Sequence, residues 1–129
     1  MLVGGFEEIM KEIMKMKFKE KSNYVEGLAL EYNKALVAIE NENGAKYLES
    51  LREDVAVYKI SEDKLIIYKN FKKLIDSILE KLDKNDRTIL CNDYFYKIGG
   101  QWWQDKYSKS SYYRSKHKAL NSFFQYFID

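Results

Sequence analysis

The sequence predicts an all-α protein, and three observations carry that expectation. Apolar residues recur at alternating spacings of three and four in four segments before residue 83. Proline is absent from all 129 residues, which long helices tolerate and folds rich in strand turns rarely do. Residues suited to capping helices stand between the periodic segments. Each segment follows from its own pattern.

Phe6, Ile9, Ile13 and Met16 form the apolar stripe of a first amphipathic helix. Val25, Leu28, Tyr32, Ala35 and Ile39 form that of a second, with Ser22-Asn23 as its expected N-cap. Asn41-Glu42-Asn43-Gly44 reads as a helix end and turn, because glycine suits a left-handed C-cap. Leu48, Leu51, Val55 and Tyr58 give a third stripe. Ser61-Glu62-Asp63 then places a hydroxyl cap and two carboxylates at the start of a fourth, over Tyr68, Phe71, Ile75, Ile78 and Leu82. Residues 1–82 are therefore expected to form a helical bundle or a coiled-coil arm. Stripes this regular suit core packing first, and they would also serve as the seam of a homodimer.

The pattern changes in residues 83–129, which read as a helix-turn-helix. Asp83 or Asn85 caps a short helix carrying Ile89, Leu90 and Tyr94, and Gly99-Gly100 breaks it. Gln101–Tyr107 has room for about one and a half turns. Ser108 then caps a long helix reaching Phe127. Helical phase puts Tyr112, Ala119, Phe123 and Phe127 on its inner face, with Lys116 or Leu120 at the edges. Lys109, Ser110, Tyr113, Arg114, His117 and Asn121 fall on the other side.

Composition sets the class. With 46% hydrophobic and 33% charged residues the chain is globular rather than disordered. No apolar run approaches a membrane span, and the N-terminus lacks a basic, then apolar, leader, so a cytoplasmic protein with no membrane partner is expected. Cys91 is the single cysteine and reads as a small buried thiol, which excludes an internal disulfide and a cysteine-built zinc site. His117, the single histidine, has no ligand partner in phase, so no metal and no cofactor are expected. Gly99-Gly100 lacks the strand and the Lys-Ser/Thr of a phosphate loop, and the carboxylate pairs point apart on their helices; no enzyme is expected.

Charge is unevenly distributed. Residues 1–96 hold 16 Lys/Arg against 18 Asp/Glu, whereas residues 97–129 hold 6 against 2. Twelve of the 20 aromatic residues lie between Tyr94 and Phe127. A basic, aromatic back half favours an anionic partner. An α-helix fits the major groove, and its first turns need donors and flat groups. Lys109, Ser110, Tyr113, Arg114 and His117 supply these, with Lys116 and Lys118 placed for phosphates and Lys97 and Lys106 flanking. Of Trp102 and Trp103, one is expected in the core and the other as a partner contact.

The residues Tyr107-Ser108, Ser110, Tyr112-Tyr113-Arg114, Lys116 and Ala119-Leu120 resemble the ending of ArpU-type phage late-gene regulators. More distantly, Leu82–Phe127 is similar to region four of bacterial sigma factors. The resemblance implies a sigma-region-four-like helix-turn-helix that binds double-stranded DNA, and front helices that act as a coiled-coil or partner-binding arm. It places Ser108 as the cap, Lys109, Ser110, Tyr113 and Arg114 toward DNA, and Ala119 and Leu120 as a packing pair. The expected function is thus a DNA-binding transcriptional regulator or an accessory factor of the transcription machinery. The alternatives are a helical module docking on RNA polymerase or another protein, and a structural oligomerising bundle. The plainest reading of the basic face is a solvated surface.

Overall fold

The computed structural model describes residues 8, 11–12, 15–51 and 61–128, with residues 44–51 described by their backbone alone. Among these residues the fold is all helical. Helix α1 spans Phe18–Leu51, α2 Glu62–Lys81, α3 Lys84–Leu90 and α4 Lys109–Ile128. Cys91–Phe95 continues α3 as a single π-helical turn, closed by the Tyr96 N–H donating to the Cys91 carbonyl at 2.7 Å.

Short-range chemistry sets most of the helix ends. Ser61, with extended backbone, accepts the Lys64 N–H at 3.3 Å and opens α2. Asp83 opens α3 by accepting the Asp86 N–H at 2.7 Å, which resolves the choice between Asp83 and Asn85. Arg87 then reaches back to the end of α2. Its Nε donates to the Leu79 carbonyl at 2.9 Å, and one Nη donates to Glu80 and Leu82 at 3.3 and 3.1 Å. One guanidinium thus satisfies three carbonyls that a helix end leaves without partners.

The chain leaves the π turn through left-handed backbone at Lys97, Gly99 and Gly100. Glycine makes the last two inexpensive, which is why the break falls there. Gln101–Lys106 then folds into hydrogen-bonded turns, with Gln104 donating to Gln101 at 3.1 Å and Lys106 to Trp103 at 3.0 Å. The Ser108 hydroxyl accepts the Ser111 N–H at 3.2 Å and starts α4.

Two expected boundaries are corrected. α1 runs unbroken through Asn41-Glu42-Asn43-Gly44, and it begins at Phe18 rather than behind a Ser22-Asn23 cap. Lys69 of α2 pairs with Glu42 at 3.1 Å, so contact with α2 supports the helix through this polar stretch. Ser22 spends its hydroxyl on Tyr94, sharing a hydrogen bond at 2.6 Å, and leaves the cap role. Of the first expected stripe, Met16 stands in a non-helical link before Phe18, and of the third, Leu48 and Leu51 fall within α1; Phe6, Ile9, Ile13, Val55 and Tyr58 lie outside the described residues.

A single apolar core joins these helices. Val25 and Ala29 of α1, Ile75 and Ile78 of α2, and Ile89 and Leu90 of α3 meet Ala119, Leu120, Phe123 and Phe124 of α4. The core therefore crosses the division expected between residues 82 and 83. Leu120, placed at an edge by helical phase, is fully buried. Among the described residues no helix is long and apolar enough to cross a membrane.

Candidate nucleic-acid interface

The candidate interface is the solvent face of α4, and its position is set from behind by one carboxylate. Asp93, on the π turn, accepts the Trp102 indole N–H at 2.8 Å. It also accepts the Tyr112 hydroxyl and pairs with the Lys116 ammonium at 3.1 Å. The two charged side chains are only 13% and 16% exposed, so this pairing occurs where solvent screens it weakly. Lys116 also lies 5.0 Å from the ring centre of Tyr94 and 5.7 Å from that of Tyr112.

Aromatic packing completes this support. Trp103 stacks on Tyr112 with ring centres 4.4 Å apart and planes 8° from parallel, while Trp102 meets Tyr112 edge-on. Both tryptophans are partly buried against the core, so both take part in packing. Burial, and then the hydrogen bond to Asp93, push the Tyr112 hydroxyl well above its ordinary pKa. Tyr112 is buried and Tyr113 is 46% exposed, the division expected from helical phase.

A second tie holds α4 to the start of α3. Lys118 reaches the Asp83 carboxylate at 3.0 Å and that of Asp86 at 3.5 Å. Asp86 is almost wholly buried, so the lysine supplies a counter-charge to a carboxylate with little access to water. The Asp86 N–H first, and Lys118 second, hold the Asp83 carboxyl below its usual range. The bond to Asp83 raises Lys118 in turn.

The structure divides the seven residues expected at the interface. Lys109, Ser110, Tyr113, Arg114 and His117 are exposed together on α4. Lys116 turns inward onto Asp93, and Lys118, though exposed, is engaged by Asp83 and Asp86. Lys97 pairs with Glu26 at 3.1 Å. Lys106 and Lys109 are exposed and have no carboxylate partner among the described residues, and Arg114 only donates to the Ser111 hydroxyl at 3.3 Å.

One edge of the face is already occupied. Phe18, at the start of α1, packs edge-on against His117 and Tyr113, with ring centres 5.5 and 6.4 Å apart. Beside it Lys21 donates to the Asn121 side chain at 2.6 Å. Neither contact is foreshadowed by local sequence, since Lys21 and Asn121 are 100 positions apart. Asp93 did leave a signal: it is the lone charged residue between Ile89-Leu90-Cys91 and Tyr94-Phe95, and such a group is buried with partners. Among the described residues no group of three or more His, Cys, Asp or Glu is placed to hold a metal ion.

No family model matches the chain, and no solved structure matches it. Over 115 residues it is 25% identical to a Mycoplasma pneumoniae protein named "Uncharacterized protein MG284 homolog", covering 89% of this chain and 85% of that one. A match of that length extends beyond α4 into the front helices.

Proposed function

We propose that the chain is a DNA-binding regulator of transcription, or an accessory factor of the transcription machinery, that presents the first turns of α4 to the major groove of double-stranded DNA. The observation that carries this reading is the separation of the cations around α4. Lys116 and Lys118 are neutralised by carboxylates that hold the helix in place, whereas Lys106, Lys109 and Arg114 face solvent without one. A rigidly backed helix with free donors in its first turns is what groove recognition needs. In this reading Lys106 and Lys109 contact phosphates, while Arg114 and Ser110 reach base edges with Tyr113 and His117 at the rim.

The direct test is fluorescence anisotropy with genomic DNA fragments at roughly 50 mM salt, where phosphate contacts are strongest. Binding that weakens in a Lys109→Ala/Arg114→Ala variant supports the proposal. Absence of binding, or indifference to both substitutions, overturns it.

A protein-docking role is the second reading, and the Phe18 contact favours it. A face whose rim already holds an apolar aromatic side chain suits a protein partner, and RNA polymerase is the candidate. A complex with purified polymerase that survives nuclease treatment, together with no DNA binding by the free chain, would select it.

A further inference from the structure

Residues 11–21 carry Lys11, Lys15, Lys17, Lys19 and Lys21 against Glu12 and Glu20, a net +3 within a front portion whose total charge is −2. The fold carries the end of this cluster to α4. Phe18 packs on Tyr113 and His117, Lys21 bonds to Asn121, and Tyr24 packs on Phe124 and Phe127. Residue numbers rise together on the two helices, so the start of α1 runs alongside α4 in the same direction. Lys17 accepts the Lys21 N–H through its carbonyl at 3.0 Å and lies one turn before it. It therefore sits level with the first turns of α4, where Lys109 and Arg114 are exposed.

Lys21 sharpens the point. It is 6% exposed, its ammonium meets an amide oxygen, and no carboxylate pairs with it among the described residues. A buried cation ordinarily has a counter-charge. Lys15, Lys17 and Lys19 are exposed and have no ion-pair partner among the described residues either. The seam between α1 and α4 thus gathers positive charge from both ends of the chain with little negative charge to balance it, and a polyanion complements it.

We infer that the start of α1 and the three residues before it are a second nucleic-acid contact, in which Lys15, Lys17 and Lys19 hold the sugar–phosphate backbone beside the groove that α4 enters. The inference rests on the DNA-binding reading of α4 and adds a phosphate-binding strip from the opposite end of the chain. Its role is affinity rather than sequence choice, because phosphate contacts carry no base information.

The test uses the full chain and a duplex of arbitrary sequence, with affinity followed from roughly 50 to 200 mM salt. In a Lys15→Gln/Lys17→Gln/Lys19→Gln variant the slope of log affinity against log salt is expected to fall by about 2 to 3, near 0.9 per lost phosphate contact. Affinity at the lowest salt falls at least about tenfold with it. A Lys64→Gln/Lys73→Gln/Lys81→Gln variant removes the same charge from α2, and its slope is expected to change by less than about 1. Wild-type binding whose slope is equal in both variants overturns the inference and leaves the α4 reading standing. A wild-type chain that binds no duplex overturns the α4 reading and this inference with it. Binding of polyglutamate but not of duplex assigns the strip to an acidic protein and overturns it as well.

Discussion

Trp102 donates its indole N–H to Asp93 at 2.8 Å, and this bond ties the turn before α4 to the π turn behind it. Asp93 also receives Tyr112 and Lys116, so three donors from two segments converge on one carboxylate. Removing it leaves a largely buried ammonium and two donors without their acceptor. Asp93→Ala is expected to lower folding stability by about 3 kcal/mol, read from the urea midpoint. Trp102→Phe removes one neutral donor and should cost about 1 kcal/mol. Equal effects of the two substitutions would show that Asp93 is not the organising group.

The cations of α4 should separate into two classes when replaced. Lys116→Met removes the partner of Asp93 and is expected to lower stability by about 2 kcal/mol. Lys109→Gln and Arg114→Gln lie on the exposed face and should shift stability by less than about 0.5 kcal/mol. On DNA, the salt slope of the Lys109→Gln/Arg114→Gln variant should fall by about 1, for the phosphate contact of Lys109, and the loss of Arg114 should relax sequence preference. Paired urea titrations and anisotropy measurements on the same proteins check both statements.

Acid should release the joint between α3 and α4. The Asp83 carboxyl lies below its usual range because it accepts the Asp86 N–H and pairs with Lys118. A depressed folded pKa means that its contribution is fully present above the unfolded value, roughly 3.9. The contribution is lost as pH falls through the folded value. Stability in urea should therefore decline as pH drops below about 4, beyond any decline seen in Asp83→Asn. That variant keeps a capping oxygen and gives up the ionisable group. Identical pH profiles for the two proteins would remove Asp83 from the account.

Alkali should act through buried hydroxyls. Tyr112 is raised by burial and by Asp93, and Tyr32 by burial and by its 2.6 Å hydrogen bond to Asp76. A folded pKa above the unfolded one favours the neutral phenol in the native state. The stability this provides is complete below the unfolded value, about 10, and is lost as pH rises toward the folded one. Tyr32 and Tyr112 should therefore ionise only as the chain unfolds. Near-ultraviolet phenolate absorbance, followed beside helical circular dichroism, would show a late step coincident with loss of helix. Complete tyrosine ionisation with the helices intact would contradict it.

Features that depend on a few neighbouring residues follow from the chain alone. The stripes of α1 and α2 repeat with the period of a helix, so their amphipathic faces were legible. Ser61, Asp83 and Ser108 each accept an N–H three residues on, a bond that local chemistry specifies. Gly99 and Gly100 mark the left-handed break, and phase alone separated buried Tyr112 from exposed Tyr113. Tertiary structure decided where local preference met a distant partner. α1 continues through Asn41–Gly44 in contact with α2, and Ser22 gives its hydroxyl to Tyr94 instead of to a helix end. It also decided which cations remain free, because Lys116 meets Asp93 and Lys118 meets Asp83 only once the helices pack. The Lys21–Asn121 contact is the extreme case, joining residues 100 positions apart. Periodicity and capping act within one or two turns, whereas charge pairing depends on three-dimensional proximity, and so the set of unpaired cations on α4 is defined only in the folded chain.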